Sequence, residues 1–251
     1  MCLVVLALDA HPDYPLILVG NRDEFHHRST EAMHWWSQPP ILAGRDLTAG
    51  GTWLGVTGAG RVATVTNYRD PDPPKNDALS RGQLVVDALQ ASDMRVFGDG
   101  LVTGGDRYNG FNLLWGEPGR FYYVSNQDGP VRQLAPGLHG LSNGLLDTPW
   151  PKLLRLREAV GAVLKSARPV TTEALMAPFM DTRPADDSSL PDTGVPKDWE
   201  RMLSSPFIIS EAYGTRACTA VLVAASGAVT VREQSFGVDG SLTGDQTFEW
   251  Y

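Results

Sequence analysis

The predicted elements follow one another as strands, a helix, strands, helices and strands again, and this order restricts the folds open to the 251-residue chain. Apolar runs between turn residues predict strands, and apolar residues at helical spacing predict two amphipathic helices that must each cover a sheet face. No part of the chain alternates strand and helix as a parallel sheet requires. The order therefore predicts an α+β fold, a four-layer αββα sandwich of two mainly antiparallel sheets in a single domain over residues 1–251.

The boundaries of these elements are predicted from turn residues and helix caps. Helices are predicted at 80–96 with Ser80 as N-cap, at 147–164 and at 172–180. Connections and exposed loops are predicted at 70–74, 98–105 and 183–196. Strands are predicted at 1–8, 14–20, 41–46, 60–67, 111–115, 121–125, 131–134, 139–144, 206–210, 217–224, 229–234 and 246–250.

The composition, with 42% hydrophobic and 20% charged residues, is typical of a globular protein in water. A formal net charge of −8, with 21 unclustered lysines and arginines, argues against an extended nucleic-acid surface. The cysteines, Cys2 and Cys218, form no disulfide framework and suit a reducing compartment. The first apolar run is too short for a signal sequence or membrane span, which predicts a cytoplasmic protein.

The cysteine at position 2 gives the first strand a possible chemical role. If Met1 is removed, Cys2 carries both a thiol and a free α-amine, whose reference pKa is about 8. An amine with that pKa can act as the base for its own thiol, so one residue would supply nucleophile and base. The alternative is that Cys2 is a small buried hydrophobe in an ordinary first strand.

Polar side chains follow or end several predicted strands. Asn21, Arg22, Asp23 and Glu24 come directly after the second strand, and alternation allows about half of them to face any one site. The alternative is that these four residues form a solvent-exposed turn. Three histidines, His26, His27 and His34, lie close together, but no zinc-finger spacing or H-E-x-x-H motif accompanies them, so no structural metal is predicted.

Several short motifs are spread over nearly the whole chain. They are Met1-Cys2, Asn21-Arg22-Asp23-Glu24-Phe25, Gly50-Gly51-Thr52-Trp53-Leu54-Gly55, Thr66-Asn67-Tyr68-Arg69, His139-Gly140-Leu141-Ser142-Asn143 and Thr215-Arg216-Ala217. Together they resemble the NRDE family, which includes the transport and Golgi organisation 2 homologues. The resemblance implies an N-terminal-nucleophile hydrolase-like fold. It implies no agreed substrate, and haem trafficking or lipid and acyl-CoA handling are further expectations for the family.

A more distant resemblance, to the penicillin V acylase and bile salt hydrolase group, implies roles for individual residues. Cys2 would be the nucleophile, Asn67 and Asn143 would stabilise the oxyanion, and Arg216 would be the late-strand arginine. The order Asn21-Arg22-Asp23-Glu24 departs from the pattern of that group, so either carboxylate could orient the amine. With Arg22 and Arg216 near the sulfur, we expect a lowered pKa for Cys2 and an unreactive Cys218.

Two functions are compatible with these observations, and whether the protein is an enzyme stays open at this stage. The first is a cofactor-independent hydrolase of the C–N bond of a small amide, with Asn21, Trp53 and Tyr68 contacting the substrate. The second is a carrier of haem, lipid or an acyl group. Its apolar pocket would be lined by Trp35, Trp36, Trp53 and Tyr68, with iron ligands from His26, His27, His34 or Cys2.

Overall fold

A computed structural model describes residues 2–71 and 73–251. Met1, which begins the first predicted strand, and Asp72, in the predicted loop 70–74, lie outside the described residues. The chain divides into two compact units. The first unit comprises Met1–His27, Pro136–Ser142 and Leu146–Tyr251, and the second Arg28–Ala135 and Asn143–Leu145.

The described residues form strands and helices whose bounds are as follows. The strands are β1 (Cys2–Leu8), β2 (Leu16–Phe25), β3 (Thr30–Trp35), β4 (Ile41–Asp46), β5 (Leu54–Thr57), β6 (Val62–Asn67), β7 (Phe111–Glu117), β8 (Arg120–Ser125), β9 (Asp128–Gln133), β10 (Gly137–Leu141), β11 (Tyr213–Val223), β12 (Val229–Phe236) and β13 (Leu242–Trp250). The helices are α1 (Arg81–Gln90), α2 (Met94–Gly104), α3 (Pro151–Lys165), α4 (Thr172–Met176) and α5 (Lys197–Leu203).

The first unit is built on a six-stranded antiparallel sheet in the order β10-β1-β2-β11-β12-β13. Helices α3 and α4 cover one face of this sheet. Alternate residues of β1, such as Leu3 and Val5, pack there against Leu153 and Leu156 of α3. Full burial of each such side chain stabilises the fold by about 1.5–3 kcal/mol, so this apolar layer holds α3 in place.

The second unit contains a seven-stranded meander in which β3 to β9 pair in sequence order, all antiparallel. Helices α1 and α2 pack on one face of this sheet, where Leu84 and Val85 share a core with Trp115. Gly98 allows α2 to approach closely, because a Cβ at this position would lie 2.7 Å from the Trp115 ring. Each unit thus supplies one sheet and the helices that cover it.

The predicted fold class, α+β with two mainly antiparallel sheets and covering helices, is confirmed. The single-domain organisation stays a prediction. Among the described residues, no helix is both long enough and apolar enough to cross a lipid bilayer.

The helix predicted at 80–96 is two helices, which corrects the sequence-based boundary. Helix α1 ends at Gln90, and Ala91 and Asp93 have extended backbone. The Asp93 carboxylate accepts hydrogen bonds from the N–H groups of Arg95 and Val96, and so starts α2. Helix α2 then runs through most of 98–105, which was predicted to be a connection.

Three further predictions need correction. The polar residues after the second predicted strand lie within it, because β2 continues to Phe25. Residues 206–210 form no strand, and β10 ends at Leu141, before Asn143. The sequence interpretation also missed β3, β5 and α5. Buried polar residues inside strands and short exposed elements both weaken the apolar periodicity on which the predictions depended.

The two helix starts give a testable contrast. Asp93→Ala removes the side-chain cap of α2 and should lower the Tm measured by circular dichroism. Ser80→Ala is the matched control, because the Ser80 side chain makes no capping hydrogen bond at α1 and its loss should leave the Tm unchanged. Equal effects of the two substitutions would contradict the assignment of Asp93 as the cap.

Candidate active site

Cys2 is the first residue of β1, and its side chain is 8% exposed. In the antiparallel ladder between β1 and β2, its Cα pairs with that of Arg22. Directly paired residues in an antiparallel sheet project to the same face. The register therefore places the Cys2 thiol and the Arg22 side chain together.

Alternation along β2 sorts the polar residues between the two faces of the sheet. Val19 packs against the helices of the first unit, so Asn21 and Asp23 share that helix-covered face. Arg22 and Glu24 point to the opposite face, which is also the face of Cys2. Arg22 Nη2 and Glu24 Oε2 are 3.9 Å apart and form an ion pair. Of the two carboxylates predicted to orient an amine, Glu24 is the one on the cysteine's face.

Arg216 lies at a bulge in β11. Thr215 pairs with Asp23 and Ala217 pairs with Arg22, so Arg216 is the additional residue between them. Its Nη1 donates hydrogen bonds to the main-chain carbonyls of Phe25 (3.2 Å) and His26 (3.3 Å), just after the polar part of β2. Burial, together with the charge of Arg22, lowers the pKa of Arg216. The predicted late-strand arginine is therefore held against the end of β2.

Asp23 and Asn21 make buried contacts on the helix-covered face. Asp23 Oδ1 accepts a hydrogen bond of 2.7 Å from Thr215 Oγ1. Asn21 Nδ2 donates to the carbonyls of Phe179 and Pro206, each at 2.9 Å. Both amide hydrogens of Asn21 are thus used inside the unit, and its predicted contact with substrate stays a prediction.

The electrostatic environment of Cys2 differs from the sequence-based expectation. Burial raises the pKa of the Cys2 thiol, the charges of Asp23 and Glu24 act in the same direction, and Arg22 lowers it. The net direction is upward, so the expected lowering of this pKa was wrong. Burial also raises the pKa of Cys218 well above its ordinary value, which favours the predicted inertness of that thiol.

In the second unit, the structure brings the two predicted oxyanion residues together. Asn143 Nδ2 donates to the main-chain carbonyl of Asn67 at 2.9 Å, and the Asn143 carbonyl accepts from the N–H of Arg69 at 2.6 Å. Asn112, fully buried in β7, donates to the adjacent Gly144 carbonyl at 3.0 Å. The oxyanion roles themselves stay predictions.

The aromatic residues predicted to line a carrier pocket have separate environments within the second unit. Trp36 is buried, and its Nε1 donates to the carbonyl of Ala43 at 3.0 Å. The Trp53 ring covers Gly44, where a Cβ would lie only 2.2 Å from it. Trp35 is exposed.

Three other residues predicted for the carrier, one pocket residue and two iron ligands, form hydrogen bonds with main-chain carbonyls. The N–H of Tyr68 donates to the carbonyl of Gly110, His26 Nε2 bonds the carbonyl of Ser210, and His34 Nδ1 bonds the carbonyl of Ala32. Within 2–71 and 73–251, no group of three or more His, Cys, Asp or Glu side chains could hold a metal ion. The haem or acyl carrier function stays a prediction.

Sequence reasoning missed two residues of this region. Lys152 is buried in the first turn of α3, and its Nζ donates to the carbonyl of Leu203 at 2.7 Å. Thr215 occurs in one of the recognised motifs, yet its contact with Asp23 depends on a pairing 192 residues apart in sequence. The position of Lys152 beside the apolar stripe of α3 was the sequence signal that could have indicated its burial.

Comparison with known proteins identifies relatives along nearly the whole chain. A family model described as Transport and Golgi organisation 2 matches residues 1–237. A Bos taurus transport and Golgi organization protein 2 homolog is 35% identical over 257 residues, covering 94% of this chain and 93% of that protein. The Homo sapiens homolog is 32% identical over 258 residues, with the same coverage of 94% and 93%. The resemblance found in the sequence motifs is confirmed.

Among solved structures, the chain is similar to the C2A mutant of a conjugated bile acid hydrolase from Clostridium perfringens. The TM-score is 0.49 and the identity 8%, with 100% of this chain and 97% of that chain covered. A likeness at this level supports no conclusion about activity.

The charges around Cys2 predict opposite effects of two substitutions. Glu24→Gln should lower the pH midpoint of Cys2 alkylation by iodoacetamide, because a negative charge that raises the thiol pKa is removed. Arg22→Gln should raise that midpoint, and Arg22→Lys, which keeps the charge, is its control. Peptide mass spectrometry would follow both cysteines, with buried Cys218 as internal reference. Shifts of the same sign, or no shift, would contradict this environment.

Proposed function

The chain belongs to the Transport and Golgi organisation 2 family, and we propose that it is a cysteine-dependent hydrolase of the C–N bond of a small amide. The observation that supports this most is the register of β1 and β2. It places the Cys2 thiol on one face with Arg22, and Glu24 follows on the same face. A cation beside a thiol favours the thiolate, and a carboxylate beside it can hold an ammonium group, so both neighbours suit a thiol nucleophile.

The proposed chemistry requires removal of Met1, so that the α-amine belongs to Cys2. Because burial raises the thiol pKa, the protonated thiol is favoured and attack needs a base. The α-amine takes the thiol proton while Sγ attacks the carbonyl carbon of the amide. The resulting ammonium returns that proton to the leaving nitrogen, and an amine departs from a thioester on Cys2. Water then attacks the thioester, which releases a carboxylic acid and restores the thiol.

Arg22 and Glu24 have different parts in this proposal. The Arg22 guanidinium favours the thiolate that forms during attack, since it lowers the thiol pKa. Glu24, on the same face, would hold the ammonium form of the amine. The sequence of steps needs no cofactor.

Asn67 and Asn143 complete the proposal as donors to the tetrahedral oxyanion. In the described part of the chain, the side-chain amide of Asn67 has no hydrogen-bond partner within its own unit, so its N–H groups remain available. Donors of this kind contribute typically a factor of about 10²–10³ to kcat.

The nucleophile is tested by substitution at position 2. Intact mass should show that Met1 is absent, and a panel of acyl amides should then identify a substrate. Cys2→Ala should reduce turnover by at least about three orders of magnitude, whereas Cys2→Ser should retain a small activity. Cys218→Ala is the matched control and should keep full turnover in its folded fraction. Complete retention of Met1, or unaltered turnover in Cys2→Ala, would contradict the mechanism.

The oxyanion role predicts a separate kinetic effect. Asn67→Ala should lower kcat by about 10²–10³ with little change in KM, because the donor acts on charge that develops during the reaction. Asn76→Ala, at an exposed asparagine of the same unit, provides the control and should leave both constants unchanged. A rise in KM alone would assign Asn67 to substrate binding instead.

A further inference from the structure

Lys152 is an unusual cation because it is both buried and near the N-terminus of a helix. Its side chain is 3% exposed, in the first turn of α3, and no acidic residue occupies that turn. The helix dipole is positive at this end and disfavours a cation there, and burial adds a further cost. The carbonyl of Leu203 accepts a hydrogen bond from Nζ but carries no full charge. A buried ammonium in this position requires an anionic partner.

Asp23 is a buried carboxylate that can meet this requirement. It is 1% exposed and lies on the helix-covered face of β2, the same face on which α3 packs. Burial raises the pKa of Asp23, and the charge of Lys152 is the strongest influence in the opposite direction. The two groups therefore lower each other's cost of being charged inside the unit.

Thr215 joins this charge pair to β11. Its hydroxyl donates to Asp23 Oδ1 and accepts from the N–H of Ile208 at 2.9 Å. The Thr215 N–H in turn donates to the carbonyl of Ile208, also at 2.9 Å. Thr215 is thus fixed from both sides immediately before Arg216, the additional residue of the bulge. The hydrogen bonds that fix Thr215 therefore also fix the backbone position of the next residue, Arg216.

We propose that Lys152 is a positioning residue of the Cys2 site: its ammonium is the buried counter-charge of Asp23, and this pair, with Thr215, fixes the bulge that carries Arg216. The relevance to catalysis rests on the proposed function. The charge pair and its effect on the bulge are independent of the proposed function, and both can be measured without a substrate.

The charge pair is tested by the pH dependence of stability. When a carboxyl group has a higher pKa in the folded state than in the unfolded state, the folded protein loses stability as the pH rises. This loss begins near the unfolded-state pKa, about 3.9, and continues up to the folded-state pKa. Lys152→Met removes the counter-charge, so the folded pKa of Asp23 rises further and the loss extends to higher pH. The Tm deficit of Lys152→Met relative to wild type should therefore grow from pH 5 to pH 8. A loss of packing alone would give a deficit that does not change with pH.

Two further variants make this test decisive. Lys165→Met makes the same chemical change at an exposed position of α3 and should show no such growth. The double variant Lys152→Met with Asp23→Asn removes both charges, so it should be more stable at pH 8 than Lys152→Met alone. If Lys152→Met fails to fold, recovery of folded protein in the double variant supports the pair. A pH-independent deficit in Lys152→Met, or additive losses in the double variant, would overturn it.

The effect on the bulge is tested through Arg216 itself. Thr215→Val keeps the shape of the side chain but removes both hydroxyl hydrogen bonds, so phenylglyoxal should modify Arg216 severalfold faster. Thr219→Val is the matched control, since it removes a hydroxyl–carboxylate contact, to Glu233, from the same strand but away from the bulge. Peptide mass mapping gives the rates. Equal Arg216 rates in the two variants would overturn the positioning role, whereas absence of amide turnover in wild type would overturn only the proposed function.

Discussion

The backbone ladder between β1 and β2 is the constraint on which the arrangement at Cys2 depends. It runs without interruption from the pair Cys2 and Arg22 to the pair Leu8 and Leu16. A slip of one residue would move every side chain of one strand to the opposite face and separate the thiol from Arg22. Gly20 permits the close approach of the two strands in this register, because a Cβ there would lie 2.9 Å from the carbonyl oxygen of Leu3.

Strand β2 carries two sets of polar side chains, one on each face of the sheet. Arg22 and Glu24 pair on the cysteine's face, while Asp23 is held on the other face by Thr215 and the charge of Lys152. Buried charges are tolerated only when each has partners, so the helix-side set has little freedom to move. Thr215, which contacts Asp23 in this set, directly precedes Arg216 at the bulge of β11.

Much of this fold is readable from the sequence because apolar periodicity and turn residues mark most of the strands. The strands at 41–46 and 121–125 and the apolar stripe of α3 are examples. The boundary between α1 and α2 was also marked, by Asp93, but the apolar spacing on either side favoured one longer helix. The extension of β2 through its polar end could not be read, since buried polar residues and solvated turn residues have the same local pattern.

The candidate site was only partly accessible to sequence reasoning. The position of Cys2 and the recognised motifs identified Arg22 and Arg216, and alternation implied that Asp23 and Glu24 would face opposite sides. Burial is a property of the folded chain, however, so the upward direction of the Cys2 pKa could not be read from neighbouring charges. The contacts of Lys152 and Thr215 likewise depend on segments far apart in sequence.

The most direct measurement of the central claim is to trap the acyl group that Cys2 should carry. Protein lacking Met1 would be mixed with an activated p-nitrophenyl ester, whose carbonyl carbon accepts the sulfur while p-nitrophenolate departs. After an acid quench, the account predicts one acyl mass per chain on the peptide that begins at Cys2, and none on the peptide that contains Cys218. An acyl group distributed over other residues, or no adduct on Cys2 despite complete removal of Met1, would contradict it.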